Sequence, residues 1–411
     1  MKSNKPNIIF ILMDDLGWRD LACCGSDFYE TPNLDRLASK GMRFTQAYAA
    51  CPVCSPSRAS VMSGKFPARL GVTDWIDWGG TYHPVKGKLI DSPYIKHLSL
   101  KEKSLARALH EGGYRTWHVG KWHLGGPETY PEKHGFEVNI GGCARGCPST
   151  YFSPWNIENL PDGPVGEYLP DRLTDEAIRL IHRDSDRPFF LNLWYYLVHT
   201  PIQAKPELVA RFEAKAKAMG LDEREALVEG EFHPITRKST QRVVRRVIQS
   251  NPVYAAMVWS MDENIGRILN ALEESAQMDN TLIVFASDNG GLATSEGSPT
   301  SNLPLSEGKG WMYEGGTREP LIVHWPKRVS GGTLCDVPVS SPDFYPTLLE
   351  AAGLELIPEQ HVDGLSMMPL LTGSGGLPER PLFWHYPHYG NQGGTPGASV
   401  RLGDFKLIRF F

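Results

Sequence analysis

The chain has 411 residues, of which 41% are hydrophobic and 22% are charged, and its formal net charge is −5. This length and composition are ordinary for a soluble globular protein of two or three domains. A mildly acidic chain does not favour nucleic acid as a partner, because phosphate contacts need clustered Lys and Arg.

The first predicted element is a strand at residues 7–13, because a short continuous apolar run is typical of a strand buried on both faces. This run is too short for the core of a signal peptide and far too short to span a bilayer. We therefore expect no membrane segment and a cytoplasmic protein. A periplasmic or secreted mature form, from which the export signal has been removed, is the alternative.

Helices and strands alternate along the rest of the chain. Thr31 fits an N-cap, Pro32 the first helical position and Gly41 the residue after the last turn of the next helix. Further helices are predicted at residues 57–63, 104–111, 254–273 and 342–352, and strands at 114–119, 188–198, 281–287 and 321–325. The alternation predicts an α/β fold with a large, mostly parallel central sheet sandwiched by helices.

The chain is predicted to divide at residue 372 into a main α/β domain and a smaller C-terminal α+β subdomain. Residues 205–250 are polar and charged, and we expect them to form a helical insertion whose basic run, residues 237–246, is a solvated helix face. Residues 381–386 and 399–411 are predicted antiparallel strands. An uncovered terminal strand is an aggregation hazard, so we expect the subdomain of residues 373–411 to be incomplete.

Three predicted strands deliver polar residues at their carboxyl ends: Asp14 and Asp15, then His199, then Asp288 and Asn289. In open α/β sheets the ligand crevice lies outside these ends. Three carboxylates brought together repel one another unless a cation is bound. Carboxylate and amide oxygens are hard ligands, so the set suits Ca²⁺ or Mg²⁺ better than zinc.

The cysteines in CPVCSPSR could form a zinc knuckle, a redox pair or the setting for one reactive side chain. A zinc site needs two more soft ligands, and Cys143 and Cys147 have the wrong spacing for them. In a redox CxxC motif the pair begins a helix, whereas here a proline follows each cysteine. Cys51 is best explained as a buried thiol, and Cys54 is expected at a helix N-terminus, which favours anionic chemistry.

At Cys54 the sequence resembles the type I sulfatase family, in which the cysteine of Cys-x-Pro-Ser-Arg is oxidised to Cα-formylglycine. The resemblance extends in order from about residue 7 to residue 320. The motifs that carry it are NIIFILMDDLGW, TPNLDRLASKGMRF, CSPSRASVMSGK, GKWHLG, SDNGG and GKGWMYEGGTREP. It implies an alkaline-phosphatase-like fold, a sulfuric ester hydrolase activity and a maturing enzyme that modifies Cys54.

The resemblance also implies the cofactors. Hydrated formylglycine from Cys54 would be the nucleophile, since one hydroxyl attacks sulfur and the second later expels sulfate. The metal ligands would be Asp14, Asp15, Asp288, Asn289 and residue 54 itself, around one Ca²⁺, with Mg²⁺ as the alternative ion.

Five further residues match motif positions with catalytic roles in that family. The resemblance implies that Arg58 orients the nucleophile and the metal ligands and that Lys121 binds a sulfate oxygen. His123 would take a proton from the nucleophile, and it lies on the same side as Lys121 if GKWHLG is extended. His199 and Lys309 would neutralise and protonate the leaving oxygen.

We therefore predict a sulfatase that acts on a sulfated carbohydrate or an aryl sulfate. The alternatives are a phosphonate monoester or phosphodiester hydrolase of the same superfamily, and an unmodified homologue that binds sulfate without catalysis. Five aromatic or imidazole side chains are candidates for a sugar-binding rim, although packing between the domains would explain them as well. They are Trp75, Trp78, His83, His385 and His388.

Overall fold

The computed structural model describes residues 5–77, 89–183 and 185–411. The strands in this part of the chain are β1 Asn7–Met13, β2 Met42–Tyr48, β3 Arg115–Gly120, β4 Val138–Ile140, β5 Phe189–Trp194, β6 Leu227–Phe232, β7 Arg242–Arg246, β8 Thr281–Ser287, β9 Arg318–His324, β10 Thr333–Cys335, β11 Val339–Ser340, β12 Leu382–Tyr386, β13 Gly397–Leu402 and β14 Phe405–Phe410. The α-helices are α1 Pro32–Lys40, α2 Cys54–Ser63, α3 Pro67–Leu70, α4 Leu105–Glu111, α5 Leu169–Ile181, α6 Pro206–Ala218, α7 Pro252–Glu274, α8 Glu314–Thr317, α9 Phe344–Ala351 and α10 Met368–Leu371. None of these helices is both long enough and apolar enough to cross a bilayer.

The central sheet has the strand order β10-β2-β9-β8-β1-β5-β3-β4, and β11 also pairs with β2. Its middle is parallel, because β1 runs in the same direction as β5 and β8, and β3 in the same direction as β5 and β4. β9 is antiparallel to both of its neighbours, β2 and β8. The four adjacent strands β8, β1, β5 and β3 therefore end at one edge of the sheet.

Helices cover both faces of this sheet, as the apolar strand sequences predict. Successive side chains of a strand point to opposite faces. Ile9 and Ile11 accordingly lie in one hydrophobic cluster with residues of α1, α5, α6 and α7. Ile8 and Phe10 lie in a second cluster with residues of α2, α4, α9 and α10. The predicted fold class, a mostly parallel sheet sandwiched by helices, is confirmed.

The insertion at residues 205–250 differs from the helical prediction. Its first half is helix α6, but its second half is an antiparallel hairpin of β6 and β7, and the basic run lies mainly on β7. Two of the three arginines of β7 have partners outside the hairpin: Arg245 pairs with Glu307, and Arg246 donates to the Ser298 carbonyl. Because these partners lie in distant segments of the chain, the local charge pattern of residues 237–246 did not predict strand β7.

The C-terminal strands β12, β13 and β14 form a separate antiparallel sheet. The predicted strand at residues 399–411 is two strands joined at Gly403, whose φ of 55° suits glycine. Leu382, Trp384 and Tyr386 on β12 pack against the segment around Tyr48 and Val53, next to the start of α2. The domain boundary at residue 372 stays a prediction.

Gly120, the last residue of β3, is expected to be among the least replaceable glycines. Its φ is 102°, and a Cβ there would lie 2.0 Å from the Trp194 carbonyl oxygen. We expect Gly120→Ala to lower the free energy of unfolding by about 3 to 5 kcal/mol, because left-handed strain and overpacking add. Gly113 is the matched control: its φ is 94°, but its added Cβ would meet no atom within 4 Å. We expect Gly113→Ala to lower the free energy of unfolding, measured in urea, by about 1 to 2 kcal/mol. Equal losses of stability in the two variants would contradict the steric argument.

Candidate active site

The carboxyl ends of four neighbouring parallel strands bring the predicted site residues together. Asp14 follows β1, Lys121 follows β3, and Asp288 follows β8. His199 lies five residues beyond the end of β5, in a segment tied to the first strand end: the Asp14 amide donates to the Leu197 carbonyl at 2.7 Å. Hydrogen bonds between backbone groups therefore form the crevice that is expected at these strand ends.

Two site residues have left-handed backbone conformations. Asp15 has a φ of 63° and His123 a φ of 60°. Such conformations are disfavoured for residues with a Cβ and persist only where the surroundings over-determine them. The Asp15 amide is held by the Asp288 carboxylate at 3.3 Å, and the His123 amide by the Cys143 carbonyl at 3.2 Å. The backbone thus turns both side chains into the crevice.

Cys54 is the first residue of α2, which is buried along its whole length. Its Sγ lies 3.5 Å from Asp14 Oδ1. Arg58, one turn later, is fully buried: its Nε donates to Asp288 Oδ2 at 2.8 Å, and its guanidinium lies over the Trp194 ring. Burial raises the pKa of the Cys54 thiol above its ordinary value, so the unmodified side chain is neutral.

Two lysines complete the charge balance of the crevice. Lys121 Nζ contacts Asp14 Oδ2 at 2.6 Å, and Lys309 Nζ contacts Asp15 Oδ2 at 2.8 Å. Burial disfavours the ammonium forms, but the adjacent carboxylates outweigh it and raise the pKa of both lysines. With Arg58 beside Asp288, three buried cations face three buried carboxylates.

The two histidines are neutral and have defined tautomers. Burial, reinforced by the positive charge of Lys309, lowers the pKa of His199 to about 4. Its Nε2 accepts a hydrogen bond from Lys309 Nζ at 2.9 Å, and its Nδ1 donates to the Thr200 carbonyl at 2.8 Å. His123 Nε2 donates to the Ile76 carbonyl at 2.7 Å, and its buried Nδ1 has no hydrogen-bond partner among the described residues. Burial also lowers the pKa of His123, so Nδ1 is a free acceptor.

The donor set fits a divalent cation. Asp14, Asp15, Cys54 and His199 each offer one atom within 4.8 Å of the others. Asn289 donates from Nδ2 to Asp15 Oδ1 at 2.8 Å, and its buried Oδ1 has no partner in the described part of the chain. A buried acceptor without a donor is costly, and a cation beside Asp15 would satisfy it. With Asn289 included, three of the five donor atoms are oxygens, from Asp14, Asp15 and Asn289, which suits Ca²⁺ or Mg²⁺.

A cavity of about 510 Å³ opens over Cys54. Among the predicted residues, His123, His199, Lys309 and the aromatic Trp75 line it. Cys147, which the sequence analysis considered only as a zinc ligand, also lines it, and the side chains that the sequence did not single out are Ile76, Asp77, Thr200, Glu296, Asn391 and Gln392. No local motif marks them, because they come from loops that are far apart in the chain.

The other proposed rim residues fall elsewhere. Trp78 and His83 lie outside the described residues. His388 is buried next to Asp91, and His385 contacts the ring of Phe411, so neither lines the cavity. A second cavity of about 530 Å³ lies at the opposite edge of the sheet, near the start of β1 and β5, and contains none of the predicted site residues.

Comparison with known proteins agrees with this geometry. The family model described as "Sulfatase" matches residues 6–354, and the one described as "N-sulphoglucosamine sulphohydrolase, C-terminal" matches residues 307–411. N-acetylgalactosamine-6-sulfatase of Canis lupus familiaris is 32% identical, over 98% of this chain and 71% of the relative. Steryl-sulfatase of Homo sapiens is 29% identical, over 93% of this chain and 72% of the relative.

Among solved structures, Ps i-CgsB in complex with k-i-k-neocarrahexaose has 31% sequence identity and a TM-score of 0.76, over 98% of this chain and 84% of that chain. The first family model alone spans most of the chain. The crevice with Cys54, the acidic strand ends and the buried lysines lies within it. The chain belongs to the sulfatase family and is a sulfatase.

Proposed function

We propose that this sulfatase removes sulfate from a sulfated carbohydrate, with Cα-formylglycine made from Cys54 as nucleophile and one divalent ion, Ca²⁺ or else Mg²⁺. The observation that carries the proposal is the position of Cys54, whose Sγ lies 3.5 Å from Asp14 at the base of the cavity. A maturing enzyme in the host would make the aldehyde.

The ion would be held by Asp14, Asp15, Asp288, Asn289 and residue 54. When bound, it supplies a Lewis acid that polarises a sulfate oxygen and favours ionisation of the nucleophile. The matured residue 54 would supply a hydrated aldehyde: one hydroxyl would attack sulfur and displace the alcohol, and the other would lose its proton, expel sulfate and restore the aldehyde.

The remaining residues of the chain bind charge and move protons. Lys121 and Lys309, whose ammonium groups contact Asp14 and Asp15, would bind the sulfate oxygens, because burial strengthens their attraction for anionic groups. Arg58 keeps Asp288 oriented. The paired Lys309 and His199 can deliver a proton to the leaving alcohol, and the free Nδ1 of His123 can accept one from the nucleophile.

The cavity walls favour a sugar over a steroid as the leaving alcohol. Asp77, Glu296, Asn391 and Gln392 place polar groups in the cavity wall, and their remaining hydrogen-bonding capacity suits the hydroxyls of a sugar, which a steroid skeleton offers in far smaller number. Trp75 supplies the single aromatic surface among the described lining residues. The phosphonate hydrolase alternative is not favoured, because the family model that spans most of the chain and the curated relatives named above are sulfatases.

Mass spectrometry of the tryptic peptide that contains Cys54, from protein made in its native host, tests the proposal. We expect an aldehyde at residue 54, together with turnover of sulfated monosaccharides that exceeds turnover of a phenyl phosphonate monoester. A reduced thiol in protein that binds sulfate esters without hydrolysing them would favour the non-catalytic alternative. Faster turnover of the phosphonate would overturn the assignment of substrate class.

A further inference from the structure

The loop at residues 295–298 has an unusual backbone. Ser295, Glu296, Gly297 and Ser298 all have positive φ, at 62°, 51°, 87° and 42°. Three of the four carry a Cβ, and the left-handed region is disfavoured for such residues. The loop brings the Glu296 side chain to the wall of the cavity that contains Cys54, His199 and Lys309.

The inserted hairpin holds this loop in place. The Ser295 amide and the Ser298 hydroxyl both donate to the Val244 carbonyl of β7, at 3.2 and 2.6 Å. Arg246 Nε donates to the Ser298 carbonyl at 2.6 Å, and Lys238 Nζ donates to Ser295 Oγ at 2.8 Å. The strained loop is therefore clamped at both ends by a segment that contributes no residue of its own to the cavity lining.

The C-terminal region orients the Glu296 carboxylate itself. Asn391 Nδ2 and Gln392 Nε2 both donate to Glu296 Oε1, the second at 3.3 Å. Among the described residues, no donor contacts Oε2 and no cation forms a direct ion pair with Glu296, although its charge acts at longer range on Lys238 and Lys309. Asp77, the other carboxylate of the cavity, is paired with Lys96 at 2.8 Å. Glu296 is therefore an oriented carboxylate in the cavity wall that forms no direct ion pair among the described residues.

We propose that Glu296 is a specificity-determining residue, which binds hydroxyl groups of the sugar that leaves and rejects sugars that carry a second anionic group near the scissile ester. The inference rests on the proposed carbohydrate sulfatase function. A carboxylate oxygen accepts strong, charge-assisted hydrogen bonds from hydroxyls. The same negative charge in a partly desolvated cavity repels a second sulfate or carboxylate.

The test compares wild-type enzyme, Glu296→Gln and Glu296→Ala, all with residue 54 matured. The probes are galactose 6-sulfate, galactose 4-sulfate, N-acetylgalactosamine 6-sulfate and 4-nitrophenyl sulfate, which has no sugar hydroxyls. The best monosulfated sugar is also compared with its disulfated counterpart. Glu229→Gln is the matched control, because Glu229 lies on exposed β6 outside the cavity, 3.7 Å from Arg242.

We expect Glu296→Gln to lower kcat/KM for the best monosulfated sugar about 10-fold and Glu296→Ala about 100-fold, as for loss of a charge-assisted hydrogen bond. For each variant, the fold-decrease in kcat/KM on the sugar should be at least fivefold larger than its fold-decrease in kcat/KM on 4-nitrophenyl sulfate. Wild-type enzyme should prefer the monosulfated sugar by about 30-fold or more, and Glu296→Gln should reduce this preference at least fivefold. Glu229→Gln should leave all four rates within about twofold, as is usual for exposed positions.

A merely structural role for Glu296 would lower the rates on the sugar and on the aryl sulfate equally, and that result would overturn the inference. An unchanged preference for the monosulfated sugar in Glu296→Gln would do the same. Turnover of 4-nitrophenyl sulfate with none of the sugars would also overturn it while leaving the sulfatase chemistry intact. Absence of turnover of every sulfate ester, despite an aldehyde at residue 54, would instead contradict the proposed function.

Discussion

Replacement of Cys54 by alanine is expected to lower kcat on sulfate esters by about 10⁴- to 10⁶-fold, the range for removal of a covalent nucleophile. Alanine cannot be converted to an aldehyde, so the crevice would keep its charges and lose the reacting group. The fold should persist, because alanine favours the helix that begins at residue 54 and the thiol's hydrogen bond among the described residues is a weak one, to Asp14. Steady-state kinetics and thermal unfolding measure the two effects separately.

Cys51→Ala is the matched control. Cys51 is buried as deeply as Cys54, at 2% exposure each, but it lies in the cluster that joins the C-terminal sheet to the start of α2. We expect this variant to lose about 1 kcal/mol of stability and to keep kcat within a few-fold. The assignment of the nucleophile is contradicted if Cys51→Ala abolishes turnover while Cys54→Ala retains it.

Asp14→Asn is expected to have the second-largest effect, because one carboxylate serves three partners. Asp14 contacts Cys54 Sγ, Lys121 Nζ at 2.6 Å and, at 3.8 Å, the Arg58 guanidinium. Loss of its charge leaves a buried lysine without a counter-ion and removes an anionic ligand of the proposed cation. We expect kcat/KM to fall at least about 10³-fold and the Kd for Ca²⁺ to rise at least about 100-fold.

Binding of Ca²⁺ can also be measured without an activity assay, as the increase that the ion causes in the free energy of unfolding. At 100 times its Kd, an ion that binds only the folded state adds about 2.7 kcal/mol to the free energy of unfolding. Wild-type protein stripped with a chelator should regain this increment on addition of Ca²⁺, and Asp14→Asn should regain little of it at the same concentration. Differential scanning calorimetry with and without the ion measures both.

Asp262→Asn serves as the control for this experiment. Asp262 is also a buried carboxylate, but it accepts hydrogen bonds from the amides of Asn33 and Leu34 at the start of α1, away from the crevice. Its variant should keep the full Ca²⁺ increment even if its own stability is lower. If Ca²⁺ stabilises Asp14→Asn as much as it stabilises the wild type, Asp14 is excluded as a ligand. If Ca²⁺ does not stabilise the wild type, the proposed Ca²⁺ site is excluded.

The local sequence determined the strands, the fold class and the edge of the sheet at which the candidate site residues lie. Apolar runs such as residues 7–13 and 281–287 can be buried only between two layers of helices, so the strands and the fold class followed from them. The polar residues directly after these strands had to meet at one edge, because parallel neighbours end together. Asp14, Asp15, Asp288 and Asn289 were found by this argument, and Cys54 by a motif that the family comparison supports.

Only the tertiary structure decided which distant residues meet around that framework. The hairpin of β6 and β7 exists because its arginines and carbonyls find partners at residues 298 and 307, which no local pattern encodes. Glu296 reaches the cavity through a strained loop held by this hairpin and by Asn391 and Gln392. Each family motif is a short segment that contains groups needed in every reaction cycle. The substrate wall is assembled from long-range contacts, whose energies depend on burial and geometry that a linear sequence does not contain.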